Sequence, residues 1–297
     1  MRPMTLDLNE LLLAVSFSLD FVEMDVLGAS SNHSKRVAVI AMQMGRSLGM
    51  SREELFALCS FSILHDNGIA EEELRSERDI RPEEKGKIQG LEKYWEHCKY
   101  GERNIAAFPF QAGQKDIIRY HHERYDGSGF FGLQNREIPL MAQIIALADT
   151  TDNLFHFERE EIGNRQEVRR LILDRRGSWF APEIVDVFLA LAEKPAFWLD
   201  LQNQFIDYSV REIVPSMPAT LDWQDVYEIT KVFSQIIDSK SKYTYNHSSG
   251  LVERVCAMAD YYAYDTPATY QLCIAAHLHD LGKLAVPNCI LDKPGRL

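Results

Sequence analysis

The sequence predicts an all-α protein. Three observations carry this: apolar residues recur at three- and four-residue spacing along most of the chain, runs of alternating β-branched residues are nearly absent, and turns are marked near Gly68, Gly127–Gly129 and Gly177. Taken in order, "LDLNELLLAVSFSLDFVEM" (6–24) and "HSKRVAVIAMQMGRSLG" (33–49) read as helices, the second ending at a glycine stop. "SREELFALCSFSILHD" (51–66) opens with Ser51 and has Glu54 three residues later, the pattern of a capping box ahead of an apolar run. "YWEHCKYGERNI" (94–105) is a helical stretch lined with aromatics, and "KDIIRYHH" (115–122) is a helix running out at the glycines that follow. "IPLMAQIIALADTTDNLFHF" (138–157) and "APEIVDVFLALAEKPAFWL" (181–199) predict two more buried helices. Three prolines fall between Glu193 and Trp223, which places a junction at 196–222 between a first domain, 1–195, and a second unit, 223–297.

The totals exclude several function classes. With 46% hydrophobic and 26% charged residues among 297, the chain can bury a substantial core. A net charge of -12 argues against a nucleic-acid polymer as partner, because such binding needs a basic surface. It leaves room for a small anion, since metals or a few local cations can invert the field in one pocket. Five cysteines are scattered without CxxC spacing, so no disulfide framework or zinc ribbon is legible and a reducing cytoplasm is expected. The most apolar early stretch, "LLLAVSFSLDFV", is too short for a bilayer and is interrupted by Asp20, and it lacks a signal-peptide pattern, so no membrane partner is expected.

An internal repeat organises the chain. "NHS" begins at Asn32 and again at Asn246; His33 precedes His65 by 32 positions, and His247 precedes His279 by 32. Each later histidine opens an H-D-x-G, "HDNG" and "HDLG", and Leu-Cys stands just upstream as Leu58-Cys59 and Leu272-Cys273, all at one offset of 214.

The repeat gives the His-Asp pair its meaning. A lone pair of this kind would be a satisfied polar group at a helix end, since a buried Asp needs a partner. Kept twice at equal spacing, an imidazole and a carboxylate suit a shared metal, and a carboxylate has two oxygens with which to bridge two ions. Downstream stand His97, His121 and His122, and Asp149 inside an otherwise apolar helix; the plain alternatives are a surface histidine for His97 and a buried cap or salt bridge for Asp149. Adjacent helical residues point about 100° apart, so His121 and His122 can converge only near a helix end. Together His33, His65, Asp66, His97, His121, His122 and Asp149 suit two divalent metals with a shared carboxylate, able to activate water and stabilise a leaving oxygen in phosphoryl displacement.

The motifs "NHS", "HDNGI", "EHCKYG", "HHERYDGSGFF" and "ALADTTD", with "RRGSWFAPEIVDVFLAL" closing, resemble the HD-GYP family of HD phosphohydrolases over roughly residues 20–195. The likeness resumes near 225 with "NHSSGLVERV" and "HDLGKLAVPNCILDKPGRL", the front half of a second copy, which implies a piece of a longer tandem protein. The resemblance implies a helical HD-domain bundle around two ions, iron or manganese, and cleavage of cyclic di-GMP or 3'3'-cyclic GMP-AMP by metal-activated hydroxide in bacterial second-messenger signalling. It places His33, His65, Asp66 and Asp149 on one ion, and Asp66, His97, His121 and His122 on the other, with Asp66 bridging and catalytic. Substrate contacts are expected from Lys115, Arg119, Arg124, Asp126, Gly127, Gly129 and Phe130, although a solvated helix face is the plain alternative for the three cations. The second copy contributes His247, His279, Asp280 and Lys283. A second copy of the chain or a signalling protein is the expected macromolecular partner.

Three departures stand out. The family lysine after HDxG is Ile69 here, while Lys283 keeps it. The glutamate that trimetal members carry four residues before the first histidine is Ala29, and Tyr243 in the second copy. Gly-Tyr-Pro is Gly129-Phe130-Phe131. Two alternatives follow: the first domain is a metal-holding regulatory or nucleotide-sensing module while a complete second domain is catalytic, or the chain is an HD phosphohydrolase acting on mononucleotides.

Overall fold

The computed structural model describes residues 4–26, 29–75, 95–106, 114–155, 163–214, 218–240, 247–291 and 293; Tyr243, Asn246 and most of the closing "DKPGRL" lie outside them. The described chain is almost wholly helical. Its first part contains α1 (Leu8–Val26), α2 (His33–Ser47), α3 (Arg52–Leu64), α4 (Ile69–Arg75), α5 (Glu96–Ile105), α6 (Leu140–Leu154), α7 (Gly163–Asp174) and α8 (Pro182–Ala192). α9 (Pro195–Asp200) and α10 (Ile206–Ile213) follow, then α11 (Trp223–Ser239), α12 (His247–Tyr261), α13 (Thr266–Leu278) and α14 (Asn288–Leu291). Two four-residue strands, β1 (Met4–Asp7) and β2 (Pro218–Leu221), pair antiparallel with Met4 opposite Leu221.

α2 is the hub. Val37, Ala38, Val39, Ile40, Ala41 and Met42 are fully enclosed, because α1, α3, α6, α8 and α10 pack around them. Each large apolar side chain enclosed in this way contributes about 1.5–3 kcal/mol. Local signals set the ends of the elements. α3 starts on the expected capping box, Ser51 N–H donating to Glu54 Oε2 (2.8 Å) and Glu54 N–H to Ser51 Oγ (3.2 Å). α2 ends at Gly49, whose φ of 75° suits a residue without a Cβ.

Two predicted helices turn out differently. The stretch 181–199 is two helices, because Pro195 cannot donate into the first and instead opens the second as its N1 residue. Residues 116–122 form a chain of turns rather than a helix, with Asp116 at a φ of 60°.

The residues expected to form a junction, 196–222, carry α9, α10 and β2, and Phe197, Trp198, Leu201, Ile206 and Val210 belong to the same core as α2. Lys35 Nζ donates to Asp207 (2.8 Å), Arg36 to Asn203 (2.9 Å) and Arg46 to the Ile213 carbonyl (2.6 Å). Farther on, α12 repeats the 15-residue length of α2 and α13 the 13-residue length of α3. The His33–His65 rings are 5.4 Å apart, and the His247–His279 rings 5.3 Å. Ile69 is fully buried in a seam with Val22, Ala70, Ile237 and Leu284, which joins the two parts. Among the described residues no helix is long and apolar enough to cross a membrane.

Candidate metal centre

Five histidines meet because each is fixed near the end of an element or in a tight turn. His33 opens α2, and His65 caps the C-terminus of α3 with Asp66 beside it. The turn after Asp66 is clamped by Asn67, whose side chain donates to the Leu64 carbonyl (2.7 Å) and accepts from Asn104 on α5 (3.1 Å). At Gly68 a Cβ would lie 2.2 Å from the His97 carbonyl oxygen, so only glycine allows α5 to come close enough to deliver His97. His121 and His122 sit in the turns after Asp116, and Asp149 is on the inner face of α6.

The ring orientations are uniform. His33 Nδ1 donates to Asp152 Oδ2 (2.6 Å), His65 Nδ1 to the Ser62 carbonyl (2.9 Å) and His121 Nδ1 to the Ile118 carbonyl (2.5 Å). His97 Nδ1 faces Glu72 Oε2 (3.5 Å), which also accepts its backbone N–H (2.7 Å). In these four rings Nε2 is thereby turned inward, as in metal-bound imidazoles whose other nitrogen is tied back. There His33 Nε2 faces Asp149 (3.3 Å), His65 Nε2 faces Asp66 (3.4 Å) and Asp149 (3.9 Å), and Asp66 Oδ1 faces His97 (3.4 Å) and His121 (3.6 Å). Asp66 therefore stands between the two histidine sets.

Three atoms in this ring, His65 Nε2, Asp66 Oδ1 and His122 Nε2, are buried without a hydrogen-bond partner. Each such orphan costs about 1–3 kcal/mol, and all three are donors of the type that a borderline divalent ion accepts. The residue set fits a metal. Its charge distribution agrees: burial raises Asp66 and Asp149, but the surrounding histidines outweigh burial and hold both carboxyls well below the usual range. Burial together with His121 and His97 pushes His122 well down, leaving it a neutral ring. Burial also pushes the Cys98 thiol up, yet His97 and His121 outweigh it and bring it down to about 7.

A cavity of about 300 Å³ opens beside the centre, lined by His121, His122, Arg124, Gly129, Phe130, Asp149, Asn153 and Trp179 among others. Its rim explains the "HHERYDGSGFF" run. Glu123 is buried and accepts from the backbone N–H of Phe131 (2.7 Å) and of Leu133 (2.7 Å), folding the loop back on itself. A Cβ on Gly129 would lie 2.6 Å from Glu123 Oε1, so that position closes only with glycine. A proline at 131 could not make the Phe131 bond, so the departure from Gly-Tyr-Pro adds a tether.

All seven expected donors converge. Of the expected substrate contacts, Arg124, Gly129 and Phe130 line the cavity, and Lys115, Arg119, Asp126 and Gly127 do not. Lys115 is exposed, Arg119 lies near Asp116 (3.6 Å) and against the Phe131 ring, and Asp126 accepts from the Ser128 N–H (2.9 Å). His247, His279, Asp280 and Lys283 form a partly exposed cluster, Asp280 Oδ2 lying 3.7 Å from His247, 2.9 Å from His279 and 2.6 Å from Lys283. Asp152, Arg36, Glu72, Cys98 and Trp179 were not expected. Arg36 is fully buried and binds Asp152, and Trp179 is sandwiched between the guanidinium groups of Arg124 (4.0 Å) and Arg175 (3.5 Å). Asp20 and Glu23 on α1 add two buried carboxyls near the start of α2; burial pushes Asp20 up to about 6 and Glu23 well above its ordinary value.

Residues 24–184 match the family model described as an HD domain. The chain belongs to the HD-domain family. Its HD domain runs from the end of α1 to the start of α8 and contains all seven expected ligands. The chain is 26% identical to the 3'3'-cGAMP-specific phosphodiesterase 1 of Vibrio cholerae, over 98% of this chain and 67% of that protein. It is 30% identical to a cyclic di-GMP phosphodiesterase of Thermotoga maritima over 54% of this chain and 44% of that one. Among solved structures, the cyclic GMP-AMP-specific phosphodiesterase V-cGAP3 of V. cholerae superposes with a TM-score of 0.71 at 27% identity, covering 99% of this chain and 75% of that chain.

Proposed function

We propose that this HD domain is a phosphodiesterase of the HD-GYP branch, acting on a 3',5'-cyclic dinucleotide, cyclic di-GMP or 3'3'-cyclic GMP-AMP. The observation that carries the reading is Asp66, a buried carboxylate whose Oδ1 makes no hydrogen bond, standing between two sets of inward-facing histidines beside a cavity of about 300 Å³. The similarity to enzymes named for cyclic dinucleotides supports the substrate class.

His33, His65, Asp66 and Asp149 would hold one divalent ion, and Asp66, His97, His121 and His122 the other, with iron or manganese as the expected metals. Bound there, such ions supply an activated water and neutralise charge on the phosphoryl oxygens and the leaving oxygen. The chain's own contribution is orientation. Asp152, Glu72 and two backbone carbonyls fix the rings, and Asp66 offers Oδ1 as the acceptor that orients a water proton. Arg124 presents positive charge at the cavity wall, where stacking on Trp179 holds its guanidinium in place. A cytoplasmic location belongs to the same reading, supported by scattered cysteines without a disulfide framework.

We also read α11 to α14 as the front of a second copy of the domain, with bounds 1–195, 196–222 and 223–297. A specific observation favours a regulatory reading of the first copy: Ile69 packs in the seam where the family has a lysine, while Lys283 stands beside the His279–Asp280 pair.

Metal analysis, followed by assay on both cyclic dinucleotides with Asp66→Ala as the control, separates the readings. The expected result is two ions per chain and turnover abolished by Asp66→Ala. Bound metal without turnover in the wild type would leave the sensing role, and turnover surviving Asp66→Ala would overturn the site assignment.

A further inference from the structure

We propose that the thiol of Cys98 is an additional protein ligand on the His97–His121–His122 side of the centre, so that the two halves of the site differ in chemical softness. The inference rests on the metal-centre reading above and goes beyond it in naming a donor and a metal preference.

Cys98 follows His97 in the first turn of α5 and is completely buried. Its Sγ lies 3.5 Å from His97 Nε2, the nitrogen that points into the centre. Donor atoms of His97, Cys98, His121 and His122 all lie within 4.8 Å of one another. Two further observations point to a ligand in the same place. Asp66 Oδ1, buried and without a hydrogen-bond partner, lies 3.4 Å from His97 Nε2 and 3.6 Å from His121 Nε2. His122 Nε2 is likewise buried and unpartnered.

The other cysteines stand elsewhere. Cys59 is packed in the apolar core, Cys256 and Cys273 lie against each other at 3.0 Å, and Cys289 is exposed. The opposite half, His33, His65 and Asp66 with Asp149, brings nitrogen and oxygen donors only. Thiolate selects zinc, iron(II) or cobalt(II) over magnesium or manganese, whereas imidazole and carboxylate alone discriminate less. On binding, the thiol proton passes to bulk water and a metal–sulfur bond replaces the S–H bond. The Cys98 half is therefore matched to a borderline-soft ion, and the Asp149 half accepts a harder one.

The test is spectroscopic. The full chain loaded with cobalt(II) is expected to show a near-ultraviolet thiolate-to-cobalt charge-transfer band, lost in Cys98→Ser and Cys98→Ala and kept in Cys273→Ala. X-ray absorption of the zinc-loaded wild type is expected to show a zinc–sulfur path at about 2.3 Å, a reading that needs no variant to fold. Two bound ions with only nitrogen and oxygen scattering would overturn the role of Cys98 and leave the centre standing. Absence of stoichiometric metal from the wild type would overturn the centre itself, and this proposal with it.

Discussion

At His33 the orientation of a single ring depends on a chain of buried charge. Asp152 accepts from His33 Nδ1 at 2.6 Å and is itself held by Arg36, which is enclosed on all sides. Asp152→Ala is expected to weaken metal retention by roughly 10–100-fold, as loss of such support does elsewhere; competition against a chelator of known affinity measures it, and unchanged retention would sink the argument. Protonation gives a second expectation. Burial works against a charged ring, but carboxylate and thiol neighbours prevail and raise His33 and His97 well above the ordinary value, and His121 to about 10. In the metal-free protein, protonated His121 contributes stability that is complete below the ordinary histidine value of 6.5 and is lost as pH rises toward about 10. Metal displaces these protons, so the gap in Tm between metal-loaded and metal-free protein should widen as pH rises, which paired thermal melts across that range will show. The clustering of His33, His65 and Asp66 was legible in the sequence because a repeat kept them in register. Asp152 was not, because it reads as one more polar residue at the end of α6 and its partner Arg36 is remote in sequence. Cys98 is hidden in the sequence for a similar reason: only the fold brings it into one space with His121.

Elements deliver these residues through close backbone approach more than through side-chain bulk. α4 and α5 touch at Gly68, where a methyl group would collide with the His97 carbonyl and the Gly101 nitrogen (2.6 Å). Gly68→Ala should destabilise the protein by about 1–3 kcal/mol and displace His97 from Asp66. Denaturant unfolding together with metal stoichiometry tests both effects, and wild-type values for the two would refute them. Helices with long apolar periods or a capping box, such as α2 and α3, were readable from the sequence because local preference and burial agree there. The turns at 116–122 were not, since "KDIIRY" has helical spacing and the backbone instead serves Glu102, which accepts the N–H groups of Asp116 (2.7 Å) and Ile118 (3.0 Å).

For the molecule as a whole, the repeat was visible in spacing alone, yet the way the parts join was not. Ile69 reads as the loss of a substrate-binding lysine, and the structure gives it a second meaning as seam packing against Ile237 and Leu284. The prolines between Glu193 and Trp223 suggested a connector, but prolines also open helices, and here Pro195 does so within the main core. This bears on where the protein can be cut. A chain shortened to residues 1–195 would lose the Asn203 contact to Arg36, the Asp207 contact to Lys35 and the β2 partner of the N-terminal strand. It would also bare the side of α2 now covered by α10. Such a piece is expected to be less soluble and to retain less metal than one ending at residue 240, as side-by-side expression and metal analysis will show. The practical minimum for an isolated centre therefore extends well past the stretch that resembles the family: the residues after Pro195 act as a brace, without which the buried guanidinium of Arg36 would face water.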